Sequence, residues 1–349
     1  MADPGENPAG RRGIVTGGTW CVDRNRLLPS WPREDAACEI LSDEVHGGGS
    51  GCNLAIDIRK LDPAMPVETI GLVGDDREGH FLFEQADLHG IGRAQLAMTP
   101  DAVTHYADAY TSRGSGRRTH IFFAGASGLL TPDHFDMAAT NGRILHLGLP
   151  GAHRRMDAAW GEDANGWVTV LRRAREAGLQ TNLELASIEA GRLAPLVLPC
   201  LPHLDLLVVN DTEIGLIADQ PTVEDARTDV AACIEAARLT LSRGAMRVVV
   251  VHFPLGAVAV TRQGAVVTQA SVAIPASEVA GSNGAGDAFA AGFLYGHHEG
   301  WPLEKSLQLA HASAATSLRH LSTTGAIEPW QACLDRAAGW GLRTALPSA

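Results

Sequence analysis

The stretch Val279-Ala280-Gly281-Ser282-Asn283-Gly284-Ala285-Gly286-Asp287-Ala288-Phe289-Ala290-Ala291-Gly292-Phe293 reads as a glycine-rich turn running into a helix. Phe289 and Phe293 stand four residues apart with only small residues between them, so one face of that helix packs closely against a neighbour. The helix begins at the Gly284-Ala285-Gly286 turn, where successive backbone N–H groups, backed by the positive end of the helix, form an anion site. Asp287 stands in the first turn, where a carboxylate can accept a proton from a hydroxyl that faces the same anion. Two other readings compete. A dinucleotide fingerprint starting at Gly284 would put Phe289 where its last small residue belongs, and would lie near the C-terminus instead of in the first strand–helix unit, so it fails. A plain turn before a buried helix, with Asp287 as a helix-end charge, stays open on this stretch alone.

Over the rest of the chain, short apolar runs alternate with longer helical patterns. Strands are expected at 13–17, 68–73, 143–148, 180–185, 204–209 and 246–252, and helices at 53–61, 79–89, 166–177 and 223–242. Near-continuous apolar strands separated by helices imply a parallel sheet covered on both faces. The fold class is therefore α/β, a doubly wound, mostly parallel sheet flanked by helices. Residues 23–45 and 101–123 break the rhythm: they are polar and rich in turn residues. They are expected either to add extended strands as a small β-sheet lid over a ligand or to be ordinary surface loops.

Composition narrows the chemistry. The 349 residues are 45% hydrophobic and 19% charged, ample for a large core, and the net charge of −12 argues against nucleic acid or an anionic membrane as the main partner. Lys60 and Lys305 are the only lysines. Neither stands in a G-x-x-x-x-G-K-[ST] loop or a V-A-I-K strand, so any phosphate must be held without the lysine that P-loop and protein kinases use. The six cysteines (Cys21, Cys38, Cys52, Cys200, Cys233, Cys333) show no metal-type spacing and are expected to be reduced thiols. Residues 1–12 lack the apolar core of a signal peptide, and no apolar run approaches the ~20 residues that span a bilayer, so a cytoplasmic protein is expected.

A second glycine loop, Gly47-Gly48-Gly49-Ser50-Gly51-Cys52-Asn53-Leu54-Ala55, also leads into an amphipathic helix, with Leu54, Ile58 and Leu61 on one face. Glycines allow close backbone approach while Ser50 and Asn53 offer neutral hydrogen-bonding groups, which suits sugar hydroxyls better than a triphosphate. By itself it can equally be a flexible loop with Asn53 as a helix cap. A third cluster, Asn210-Asp211-Thr212-Glu213, ends the buried run Leu206-Leu207-Val208-Val209, and the carboxyl end of a strand is where open parallel sheets place ligands. Glu213 reads either as a metal-organising carboxylate or as the acidic partner of a capping box.

Taken together these motifs resemble the ribokinase-like (PfkB) carbohydrate kinases. Ser282-x-Gly284-Ala285-Gly286-Asp287 followed by Ala-Phe-x-x-Gly is similar to that family's C-terminal signature, and Gly48, Gly49, Gly51, Asn53 and Ala55 match its G-G-x-G-x-N-x-A substrate signature. The likeness runs from about residue 12 to 336, which would leave a flexible tail at 1–11 and an extension at 337–349. It implies that Asp287 is the catalytic base and that the amides of Gly284, Ala285 and Gly286 are the anion hole. Asp23, Gly48, Gly49, Ser50 and Asn53 would hold the substrate. Asn210 and Glu213 would organise Mg²⁺ through water, while Gly256, Ser282 and His311 would lie along ATP. It also implies dimerisation through the lids in many members. Two departures stand out. Gly281 replaces an acidic residue that helps build a monovalent-cation site, which argues against potassium activation, and Phe253 replaces the first glycine of a G-x-x-G at the nucleotide base.

The function this implies is phosphoryl transfer from ATP to a hydroxyl of a sugar or sugar derivative, that is, a carbohydrate kinase. A nucleoside kinase of the same fold and a catalytically silent sugar- or nucleotide-binding regulator are the alternatives. Arg113, Arg117 and Arg118 in the lid, with Arg154 and Arg155, suit a carboxylate or phosphate on the substrate, although a solvated basic surface accounts for most of the five.

Overall fold

The structure, a computed structural model, describes residues 10–116, 118–185, 190–344 and 346. Residues 1–9 of the expected tail and Arg117 lie outside them. The first half of the chain runs β1 (Ile14–Gly18), β2 (Cys21–Leu28), β3 (Ser42–Gly48), α1 (Ser50–Leu61), β4 (Val67–Gly74), α2 (Arg77–Leu88), β5 (Gly92–Thr99), β6 (Tyr106–Ser112) and β7 (Arg118–Phe123). The second half runs β8 (Ile144–Gly148), α3 (Gly166–Glu176), β9 (Gln180–Leu183), α4 (Ala190–Val197), β10 (Leu206–Asn210), α5 (Asp211–Ala218), β11 (Val223–Glu224), β12 (Arg227–Thr228), α6 (Val230–Arg243) and β13 (Val248–Phe253). It ends with β14 (Gly256–Thr261), β15 (Val266–Ala270), α7 (Ala285–His298), α8 (Leu303–Ser317) and α9 (Trp330–Trp340).

Five parallel strands lie in the order β5-β4-β1-β8-β9, and a second group in the order β10-β13-β14-β15 begins with a parallel pair and ends antiparallel. The two groups meet at β9 and β10, where side chains stand in for part of the ladder. Asp205 N–H donates to Thr181 O at 3.0 Å, Val208 N–H to the Asn182 side-chain oxygen at 3.2 Å, and the Asp205 carboxylate accepts from Thr181 N–H at 3.1 Å. Strand residues alternate between two apolar layers. Ile14, Val208 and Val250 face a core shared with α1, α7, α8 and α9, while Val15, Val209 and Val251 face one shared with α3, α5 and α6. That alternation into two helix-covered layers is why the strands read as continuous apolar runs.

The helix expected at 223–242 is a correction. The chain first makes the β11–β12 hairpin, whose turn holds Asp225 and Ala226 at φ 46° and 59°, and α6 starts only after Asp229, whose carboxylate caps Ala232 N–H at 3.0 Å. The 23–45 and 101–123 segments supply most of a separate sheet in the order β3-β2-β6-β7, the lid. At the other end, α9 crosses residue 336, where the sequence suggests an extension, and Leu342 pairs with Val272. All six cysteines are free, and among the described residues no helix is long and apolar enough to cross a membrane.

One core residue works against the fold. Asp57, on α1, is fully buried and neither carboxylate oxygen has a hydrogen-bond partner. Burial first, then the Asp287 and Glu184 charges, pushes its carboxyl well up. A group whose folded value lies above its unfolded one adds stability below the unfolded value and loses it as pH rises. Asp57→Ala is therefore expected to stabilise the protein by about 1–3 kcal/mol at pH 8 and by less at pH 5. Denaturant melts at the two pH values measure this, and an equal or negative difference at both would show that the carboxyl is satisfied.

Candidate active site

The carboxyl ends of β1, β8, β9, β10 and β13 converge with the N-terminus of α7. Gly284 caps α7 at φ 73°, and a Cβ there would stand 2.7 Å from both Cα and Cβ of Thr323. Only glycine takes that backbone without strain and also fits that space. No side chain caps the helix, so its first-turn N–H groups lack intrahelical partners and face the cleft. Gly292, one turn deeper than Ala288, lets α8 approach so closely that a Cβ would lie 2.8 Å from Ala310 Cα, the close packing its small neighbours imply.

Asp287 is the centre of a hydrogen-bonded chain. Its Oδ2 accepts from Asn53 Nδ2 at 2.9 Å, and Asn53 Oδ1 accepts from Thr323 Oγ1 at 2.8 Å, which fixes the Asn53 amide. On its other side Asp287 shares a hydrogen bond with Glu184, whose Oε2 lies 2.6 Å from His146 Nε2. Asn182 Nδ2 donates to His146 Nδ1 at 3.0 Å, so the imidazole presents Nε2–H to Glu184. Burial holds His146 down to about 4, so it is neutral. Burial first, then its partner Glu184, pushes Asp287 well up, and burial pushes Glu184 up to about 7. Two adjoining carboxyls in one dry site hold a proton between them. Glu184 escapes sequence reading, although a charged residue at the end of an apolar strand, Asn182-Leu183-Glu184, was its signal.

The lid brings Asp23 over this centre. Asp23 lies on β2, buried, with its carboxyl pushed up to about 6 by burial, against the Cys21 thiol that donates to it at 3.5 Å. Gly48 stands beside it, where a Cβ would overlap the Asp23 carboxylate, and Gly49 at φ 87° packs against Thr19. Ser50 is buried, with an Oγ that has no partner. Asp23, Gly48, Gly49, Ser50, Asn53 and Asp287 are thus gathered from β2 and both glycine loops.

On the far side of the α7 N-terminus lies a cleft of about 460 Å³, lined among others by Asn210, His252, Phe253, Ser282, Gly286 and His311. It adjoins a smaller cavity of about 190 Å³ lined by Glu184, Asn210, Glu213, Ser282, residues 284–286 and Asp287. His252 and His311 both pack on Phe289, at 4.8 and 5.0 Å between ring centroids. Gly256 lines neither cavity. It sits in β14, where a Cβ would collide with Gln269 O of β15, so its role is to let two strands approach. Glu213 forms the capping box, accepting Asn210 N–H at 3.0 Å while Asn210 Oδ1 accepts Glu213 N–H at 2.8 Å. The same carboxyl borders the smaller cavity and is pushed up to about 7 by burial. Asn210 and Glu213, at the edge of this small space, offer oxygen donors that would hold Mg²⁺ through water, while among the described residues no three His, Cys, Asp or Glu side chains are grouped to ligate a metal directly.

The comparisons agree with this geometry. The family model described as pfkB family carbohydrate kinase matches residues 14–330. A ribokinase of Arabidopsis thaliana is 24% identical over 293 residues, covering 81% of this chain and 70% of that protein. An adenosine kinase of Saccharomyces cerevisiae is 22% identical, covering 82% of each. The solved ribokinase of Giardia lamblia superposes with a TM-score of 0.79 at 19% identity over 95% of this chain and 100% of that one, so the fold is ribokinase-like. With a family match over nearly its whole length, this chain belongs to the pfkB family of carbohydrate kinases.

Proposed function

We propose that this protein transfers the γ-phosphoryl group of ATP to a hydroxyl of a sugar or sugar derivative, with Asp287 as general base. The observation that carries the reading is the position of Asp287, in the first turn of a helix whose free N–H groups face the nucleotide-sized cleft, and hydrogen-bonded to Asn53 of the opposite glycine loop. Asp23, Asn53 and Ser50 orient the acceptor; Asp287 takes its proton; the amides of residues 284–287 stabilise the phosphoryl oxygens. When bound beside Glu213 and Asn210, Mg²⁺ supplies charge neutralisation of the phosphates. An Arabidopsis thaliana ribokinase of the same fold, TM-score 0.75 at 21% identity, was solved with ribose and ATP, which supports ATP as donor. A nucleoside acceptor is the second reading. Phe122, half exposed on the lid and stacked on His105 at 5.6 Å, offers a flat apolar surface to a base. ADP release with Mg–ATP over a panel of sugars, sugar acids, sugar phosphates and nucleosides decides between them. ATP binding with no release on any acceptor would leave a silent regulator.

The carboxyl pair sets the pH dependence. A base must be ionised to act, and both Asp287 and Glu184 are raised by burial, so kcat/KM is expected to fall by about tenfold per pH unit on an acid limb that lies well above the ordinary carboxylate range. Glu184→Gln removes the neighbouring charge that raises Asp287 and moves that acid limb toward acid. A limb that stays in place in the variant would uncouple Glu184 from the base.

A further inference from the structure

The inner face of the lid carries polar groups that the reading above leaves unused. In the paired rows of the sheet Asp23 stands beside Ala107, which faces Phe122; Asn25 beside Ala109, which faces His120; and Leu27 beside Thr111, which faces Arg118. Residues in one row, and alternate residues along one strand, share a face. Asn25, His120 and Arg118 therefore lie on the face that carries Asp23 to the site. Asn25 is 7% exposed, and neither its amide oxygen nor its nitrogen has a partner. A buried amide left unpaired costs stability and calls for a ligand that completes it.

Among the described members of the basic group Arg113, Arg118, Arg154 and Arg155, Arg118 is half-buried and the others are exposed. Among the described residues its guanidinium makes one hydrogen bond, from Nε to Thr111 Oγ1 at 3.1 Å. Its Nη2 reaches to 3.9 Å from where a Cβ on Gly281 would stand, beside the turn that leads to the anion hole. Asp23 is the carboxylate that acts on it. Arg118, rooted in the Leu27 row, and Asn25, in the adjoining row of the same face, are thus neighbours on the inner face of the lid. The fork donors of a guanidinium match a planar carboxylate or a phosphate, and an adjoining amide supplies both a donor and an acceptor.

We propose that Asn25 and Arg118 form a subsite for an anionic group, carboxylate or phosphate, on the sugar whose hydroxyl is phosphorylated. Asp287 is held by Asn53 and Glu184 from the body of the site while Arg118 acts on Asp23, so the anionic group is read from the lid. The substrate class is then sugar acids or sugar phosphates, and this assignment rests on the kinase reading.

The test uses matched sets of a neutral sugar, its carboxylate and its phosphate monoester. ADP release is measured on the full chain, with calorimetric binding to Asp287→Asn in parallel. The anionic members are expected to lead in kcat/KM, and the stronger of the two arms names the group. Arg118→Gln is expected to raise KM for that anionic sugar by about 10- to 100-fold while neutral sugars change little. Asn25→Ser, which keeps a small polar side chain, is expected to raise the same KM with kcat retained. Equal losses on neutral and anionic sugars, or preference for the neutral member, overturn the subsite while leaving the kinase reading intact. Absence of ADP release alongside anion binding that weakens in Arg118→Gln would keep the subsite and overturn the kinase reading.

Discussion

Asp287→Asn is expected to lower kcat by about 10²–10⁴-fold, with KM for both substrates nearly unchanged and the fold at least as stable as before. The amide is isosteric with the carboxyl, and its oxygen can still accept from Asn53 Nδ2, so the position of the α7 first turn is preserved. What is lost is the ability to take a proton. The charge that is removed is one the folded state holds at a cost, since burial and Glu184 both oppose it. The melting temperature of the variant should therefore hold or rise relative to the parent's as pH increases, because the parent's raised carboxyl destabilises its fold progressively above the unfolded value. Steady-state kinetics and a thermal melt on the same sample separate the two effects. Near-normal turnover would hand the base role to Glu184, which touches Asp287 and is itself poised at about 7. The Asp287→Asn, Glu184→Gln double variant then shows which carboxyl carries the rate: a further large drop over the single variant identifies Glu184.

Much of this site is legible in the sequence because glycine and small residues are dictated by backbone geometry, and backbone geometry is local. Gly284, with its left-handed φ, and Gly48, pressed on Asp23, are required for reasons a motif encodes. The strands ending in Gly148, Asn210 and Phe253 show as apolar runs because both their faces are covered. What stays hidden depends on contacts between segments far apart in sequence. Glu184 matters only because the end of β9 lies against the start of α7, 103 positions downstream by its numbering (287 − 184). Asn25 reads as one polar residue of an irregular stretch until the register of β2 with β6 and β7 puts it on the inner face. Gly256 has a local reason for its glycine that the motif does not reveal, the close approach of β15, where a Cβ would collide with Gln269 O. The 223–242 run has helical periodicity to its start, and only the capping carboxylate of Asp229 tells where the helix begins.

Gly284→Val tests the anion hole without touching an ionisable group, and its effect should rival that of Asp287→Asn. Two costs add. A β-branched side chain at φ 73° is strained by about 1–2 kcal/mol or more, and its Cβ would lie 2.7–2.8 Å from the Cα, Cβ and O of Thr323. Thr323 cannot give way freely, because its hydroxyl fixes the Asn53 amide that holds Asp287. The first turn of α7 must therefore shift, and amides displaced from the phosphoryl oxygens lose about 10²–10³-fold in kcat each. The expected outcome is a kcat lower by at least about 10²-fold together with a loss of about 2–4 kcal/mol in stability. Gly286→Ala is the control that separates strain from electrostatics. Its Cβ would meet only the His252 ring at 3.7 Å, an ordinary contact, and in a helix alanine outperforms glycine by about 0.5–1 kcal/mol. That variant should fold as well as the parent and reveal itself as a raised KM for ATP, because position 286 lines the nucleotide cleft. If Gly284→Val keeps its turnover while losing stability, the helix amides are not where the transferred group is stabilised, and the charge would have to be met from the lid side by Arg118.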